Sequence, residues 1–485
     1  MQKGLPAWMI KSTNLPMKEE FRFADLHCHP NLKTYGHTFD SCSPGDKCDV
    51  WYYRPPGFMT RLVNIIAGIT RFSQSDFTTL SKGGSKIIVA SLYPFEKGFF
   101  INSAGKGPLS AWLSDLITGI GYRRVRNLQE HTDYFRDLEH EYRFFAGSRQ
   151  TAAVEGREYN WKLAACWEDV RRALEKENET AVIISIEGAH VFNTGLEAFG
   201  RRVPEDEVIS NIRQVKAWDY PPLFITFAHN FDNGLCGHAR SLEPIKRFVD
   251  QSHNVDTGFT SLGERVLREL LSKDSGRRIF IDIKHMSLAS RKDYFRILER
   301  DYTGDIPPTI VSHGAVNGLS WEAGSVVSSE SPFYPSDINF FDEEIEYIGR
   351  SEGLFAIQFD ARRIAREDMV RKSFRSLCAN VDADRAARMI WNQVEHIAGV
   401  LDRAGLPAWG AACIGSDYDG TIDPLPGVWT AEYFPVLREP LIELASSYLR
   451  RPDRLTMAEN RDITAEEVVE RFFIGNTVEF LRKFF

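Results

Sequence analysis

No two cysteines in this chain have CxxC spacing, and the seven present are scattered and odd in number. That excludes a thiolate zinc site and argues against a disulfide framework, so a reducing compartment fits best. Cys42 and Cys48 lie close together in a stretch rich in Gly, Pro, Ser and Asp, and they read as loop cysteines. No run of lysine or arginine stands out, and the net charge is -8. The electrostatic footprint of a nucleic-acid binder is therefore missing. No apolar run approaches the roughly 18 residues of a membrane span. The opening MQKGLPAWMIKSTNLPMKEE has no signal-peptide core, and the closing FLRKFF is no lipid-anchor tail. These absences lead us to expect a cytoplasmic protein with no membrane partner. No repeat or low-complexity linker divides the 485 residues, so a single large domain is expected.

What is present is a rhythm of apolar runs. FRFADLHCHP (21–30) and KIIVASL (86–92) open it. AVIISIEG (181–188), LFITFAH (223–229), RIFIDIKH (278–285), TIVSH (309–313), GLFAIQF (353–359) and AACIGSD (411–417) follow. Helix-like segments such as 263–273 and 383–405 lie between them. Apolar strands alternating with helices imply a parallel sheet covered on both faces. Eight such strands fit an α/β fold of the (β/α)8, TIM-barrel type. Residues 31–180 form a long insertion after the first strand, read as loop and then as charged amphipathic helices that include 161–179. A lid and the contact of a homodimer are the two roles open to it. The last segment, ITAEEVVERFFIGNTVEFLRKFF, predicts a closing helix broken at Gly475 and a short terminal one.

The polar residues sit at the ends of these runs. Residues two apart in a strand share a face, so Asp25, His27 and His29 project together. Glu187 ends the third strand, His229 the fourth, His285 the fifth, His313 the sixth and Asp417 the eighth. In a parallel barrel these ends converge on the face where barrel active sites lie. Four of twelve histidines closing apolar strands is a poor packing choice but a good metal site. Imidazole and carboxylate suit Zn2+ and related ions. The set is too large for one tetrahedral catalytic zinc, so two ions sharing Glu187 are expected, with an ionised water between them as nucleophile. An unligated Asp417 is then placed to pass a proton to a leaving amine.

The motifs DLHCH, SIEGAH, ITFAHNFDN, IDIKHMS, IVSHGA and IGSDYDG, in that order, resemble those of the membrane (renal) dipeptidase family of the amidohydrolase superfamily. The resemblance implies a zinc-dependent barrel hydrolase of small amide or dipeptide-like substrates. By motif, His27 and His29 hold one metal, His285 and His313 the other, and Glu187 bridges them. His229 contacts the substrate carbonyl, and Asp417 handles the proton. Two departures stand out. His29 replaces the aspartate of the family's usual HxD, and the insertion is longer than usual. Two other readings stay open: a TatD-like nuclease or other amidohydrolase, and a non-catalytic, metal-stabilised interaction protein.

Secondary residues complete the reading. Asp25 either orients His27 from behind or caps the strand end. His190 either supports the site or bonds to backbone. Asp419 and Asp232 organise turns. Lys284 alternates away from His285 and so faces the outer helices, and Arg240, in the loop after the fourth strand, is either a solvated arginine or an anion-binding one that supplies the substrate-carboxylate charge. The family's carboxylate-binding arginine lies about a dozen residues after the sixth-strand histidine. Here residues 314–349 contain no lysine or arginine. The pocket is therefore expected to favour a substrate whose far end is neutral, or cationic against Glu322, Glu330 or Asp337.

Overall fold

Each of the eight apolar runs becomes a strand, and the strands close into a barrel. The computed structural model describes residues 21–485, apart from 44, 102–104, 132, 243–248, 322–330, 372–376 and 378–381. In chain order the strands are β1 (Phe23–Cys28), β2 (Ser85–Leu92), β3 (Thr151–Val154), β4 (Arg157–Leu163) and β5 (Glu179–Glu187). Then come β6 (Phe224–Thr226), β7 (Phe280–Asp282), β8 (Ile310–Gly314), β9 (Leu354–Ile357) and β10 (Ala412–Ile414). The barrel order is β1-β2-β5-β6-β7-β8-β9-β10, all parallel. The loop after β10 closes the ring. Asp417 N–H donates to His27 O, and His29 N–H donates to Tyr418 O, both at 2.9 Å.

Alternation along the strands explains the interior. One apolar cluster takes Leu26, Val89, Ile183, Phe224, Phe280, Ile310, Leu354 and Cys413, one from each barrel strand. Phe480 and Leu481 of the terminal helix Asn476–Phe484 join it. This helix therefore plugs the barrel at the end away from the strand C-termini. The expected break at Gly475 is a π turn, Arg471–Gly475, that runs straight into this helix. An inserted residue is absorbed there without ending the helix.

Two features of the insertion differ from expectation. β3 and β4 form an antiparallel hairpin, and β4 also pairs with β5. Residues 161–163 are therefore strand, and the helix starts at Trp167. The turn is Glu155–Gly156, with φ of 51° and 82°, a two-residue connection that favours glycine. The hairpin buries Trp161 completely, stacked on Phe77 at 4.7 Å and Phe145 at 5.1 Å. Packing thus overrides the helical pattern of charge. Cys42 and Cys48 do lie in a loop, but they are joined by a disulfide. Turns at Ser43–Asp46 and Asp46–Asp49 bring their Cα atoms to 6.3 Å.

One ion pair anchors the loop after β7. Arg291 and Glu344 have fully buried side chains, with Nε to Oε1 at 2.6 Å. Arg291 Nη1 also donates to Met286 O at 3.3 Å, and Nη2 to Asp337 O at 2.7 Å. Removing one partner of a buried pair typically costs about 3–5 kcal/mol. Arg291→Met is expected to lower unfolding stability by that amount, measured by denaturant titration. A loss under 1 kcal/mol, an order-of-magnitude bound from surface pairs, would show the pair to be dispensable.

Candidate metal centre

Three of the site residues follow one local rule. β6 ends at Thr226, β7 at Asp282 and β10 at Ile414, and His229, His285 and Asp417 each lie in the loop just beyond. The strands stop short of the functional residue, and the chain turns it inward. His285 and Asp417 sit at φ of 66° and 60°, the left-handed region that ordinary residues avoid. Such backbone costs of order 1–3 kcal/mol and persists where surrounding structure fixes it. Glu187 is the last residue of β5, and His313 lies within β8. The ladder shifts register between Asp25 and Cys28 and between Val311 and Gly314, beside His27 and His313. Such irregularities re-aim a side chain.

All the predicted ligands meet. Glu187 Oε1 lies 3.5 Å from His27 Nε2, 3.4 Å from His229, 3.8 Å from His285 and 3.6 Å from His313. Its Oε2 is 3.2 Å from His29 Nε2. Asp417 Oδ1 lies 3.8 Å from His27 and 3.6 Å from His29. His285 Nε2 and His313 Nε2 are 3.2 Å apart. Three trios bring donor atoms within 4.8 Å of one another: His27–Glu187–His313, His27–His29–Asp417 and Glu187–His229–His285. Asp417 thus stands with the first histidine pair, and His229 with the second.

The donors fit divalent cations. His27 Nε2 and His29 Nε2 are buried with no hydrogen-bond partner among the described residues. His29 Nδ1 faces the Ser91 carbonyl at 3.2 Å, so that nitrogen carries an N–H; burial opposes charge on the ring, but Asp417 and Glu187 push its pKa up to about 10, and a metal at Nε2 would displace that proton. Burial, with the charges of His229 and Lys284, holds His285 neutral; burial and His27 do the same for His313. Burial opposes charge on Glu187, but His229 and His27 outweigh it and keep the carboxylate ionised. Neutral imidazole and ionised carboxylate are the forms that bind metal. Burial, reinforced by the Glu187 charge, raises Asp417.

A second layer of contacts holds these groups. Asp25 accepts from Ser416 N–H at 2.9 Å, from the Ser416 hydroxyl and from His27 N–H at 3.2 Å. It therefore fixes backbone and ties β1 to the Asp417 loop, and does not touch the His27 ring. Asp282 accepts from the Thr226 and Ser312 hydroxyls, and the Ser312 oxygen lies 2.8 Å from His313 Nδ1. His190 donates to Pro94 O at 2.7 Å, the backbone-bonded alternative. Gly188 has φ of 93°, and a Cβ there would meet the His190 ring at 2.3 Å. Asp419 binds Lys33 and the Gln74 and Ser75 amides, and Asp232 bonds the Gly234 amide.

Glu96 was not foreseen from sequence. Its Oε2 lies 2.6 Å from His229 Nδ1 and 3.0 Å from the Tyr93 hydroxyl. Burial resists charge on His229, yet Glu187 and Glu96 push its pKa up to about 10. The signal available was a lone carboxylate shortly after the second strand, in SLYPFEKG. Carboxylates that orient functional imidazoles are typically worth about 10–100-fold. Glu96→Gln is expected to cost that much in kcat/KM with metal content unchanged, measured by kinetics beside elemental analysis. Unaltered kinetics would make Glu96 a packing residue.

Lys284 needs correction. The ladder ends at Asp282, so alternation does not reach it. It is 1% exposed and feels the charges of Arg363, Asp417 and Asp282. Burial and Arg363 push its pKa down to about 7. Arg240 is exposed, as expected. Glu322 and Glu330 lie outside the described residues, and Asp337 is partly buried beside Asp256.

Residues 149–448, well over half of the chain, match the membrane dipeptidase family, peptidase family M19. A metallo peptidase from Rhodobacter sphaeroides, liganded with a phosphinate mimic of the dipeptide L-Ala-D-Ala, is 14% identical with a TM-score of 0.52. That match covers 96% of this chain and 99% of the other, and it shows the same fold. A dipeptidase AC of family M19 is 14% identical, TM-score 0.49, over 88% of this chain and 95% of that one. The HxH motif precedes the matched residues 149–448 and rests on its own geometry.

Proposed function

The chain belongs to the membrane dipeptidase family of metal-dependent hydrolases, and from that premise we propose that it is a binuclear zinc peptidase acting on dipeptides or similarly small amides. The observation that carries this reading is one carboxylate, Glu187, facing five imidazoles within 3.8 Å. Two ions fit that arrangement, His27 and His29 serving one, His285 and His313 the other, with Glu187 between. When bound, such ions supply an ionised water near neutral pH and polarise the amide carbonyl.

The chain's own residues do the rest. His229, held at Nδ1 by Glu96, directs Nε2 into the site and donates to the scissile carbonyl oxygen. Burial raises Asp417, which makes it a better base than an exposed aspartate. It takes a proton at its carboxylate and returns it to the departing amine. The dipeptide mimic held by the Rhodobacter sphaeroides relative supports a substrate of this size.

The test is a panel of L,L- and L,D-dipeptides offered to zinc-loaded, chelated and zinc-restored protein. Hydrolysis that disappears on chelation and returns with zinc is expected. A zinc-loaded protein inert on the whole panel would overturn the reading.

A further inference from the structure

We propose that Arg363, with Lys284 beside it, forms an anion subsite that holds the free carboxylate of the substrate; this rests on the peptidase reading above. Arg363 belongs to the short helix Ala361–Ile364, just past β9 and so on the active face. The nearest carboxylate, Asp360, is already occupied. Arg362 Nε approaches its two oxygens at 2.9 and 3.2 Å, and Arg362 Nη2 approaches Oδ2 at 2.9 Å. Among the described residues Arg363 has no ion pair, and its side chain makes one hydrogen bond, from Nη2 to the Ser241 carbonyl. That contact ties it to the loop whose Ser241 holds Asn230, the neighbour of His229. The Ser241 hydroxyl donates to Asn230 Oδ1, and Asn230 Nδ2 lies 2.9 Å from His229 Nε2.

Lys284 stands in the same situation. It is 1% exposed, and its ammonium has no ion pair or hydrogen bond among the described residues. Its strongest charged neighbour is Arg363, a like charge. The carboxylates both feel are Asp360, which Arg362 holds, and Asp417, which is turned toward His27 and His29. A buried ammonium and a half-buried guanidinium without a counter-ion of their own are unfavourable. A bound anion removes that cost. A carboxylate offers the planar, bidentate match that guanidinium takes best. The cation-free segment 314–349 therefore does not leave the pocket without positive charge, because the loops after β7 and β9 deliver it. The expected preference for a neutral or cationic far end is thereby reversed.

The experiment compares Ala-Ala with its C-terminal amide on the zinc-loaded full chain, as wild type, Arg363→Gln and Arg363→Lys. Losing a charged hydrogen bond is typically worth about ten- to a hundredfold. Wild type is expected to prefer the free carboxylate by at least that lower figure in kcat/KM. Arg363→Gln should abolish the preference through KM, and Arg363→Lys should keep part of it, both with normal metal content and melting temperature. No preference in wild type, or a preference intact in Arg363→Gln, overturns the subsite. If neither compound is cleaved, the peptidase reading fails. Calorimetric binding of N-acetyl-alanine and its amide then decides the subsite alone. Carboxylate binding weakened at least about tenfold in Arg363→Gln upholds it, and unchanged binding overturns it.

Discussion

Asp417→Asn is expected to lower turnover by two to four decades while leaving metal content near normal. The range is that of general acid–base help, about 10²–10⁴. The asparagine keeps the shape and the 60° φ of a residue held by the β1–β10 closure, so folding should survive. What it loses is the basic oxygen. Asp417 stands 3.6 and 3.8 Å from His29 and His27, close enough to serve as a ligand. Elemental analysis of the variant separates the two roles. Metal lost together with turnover would make Asp417 a ligand first and a proton carrier second.

Glu187→Gln should act on the metals themselves. The carboxylate sits 4% exposed at the centre of the imidazoles and carries the one charge that all five face. An amide of equal size would leave buried imidazoles and two cations without it. Removing one partner of a buried charge cluster costs about 3–5 kcal/mol, or roughly two to four decades in affinity. Zinc affinity measured by chelator competition should fall by that much at both sites. A variant that binds two ions within about threefold of wild type, far short of the two decades expected, would show that Glu187 is no bridge.

The eight barrel strands and the set His27, His29, Glu187, His229, His285, His313 and Asp417 were legible in the sequence, because each closes an apolar run that packing alone does not explain. Their exact presentation was not. Apolar pattern continues past the point where the ladder ends, so His285 and Asp417 read as strand residues although both sit in left-handed turns. Lys284 was misplaced for the same reason, since a period of two means nothing beyond Asp282. Glu96 and Arg363 were invisible because their partners, His229 and Ser241, are more than a hundred residues away in sequence. The hairpin Thr151–Leu163 was hidden by charged residues on its exposed face, and its signals were the Glu155–Gly156 turn and the buried Trp161. The Cys42–Cys48 bridge depended on turns between them that composition does not reveal.

The most direct measurement adds zinc stepwise to chelated protein and follows dipeptide hydrolysis against equivalents bound. Hydrolysis is expected to be absent without metal and to rise to a plateau at two zinc ions per chain. Full activity at one ion, or activity indifferent to zinc, would contradict this expectation.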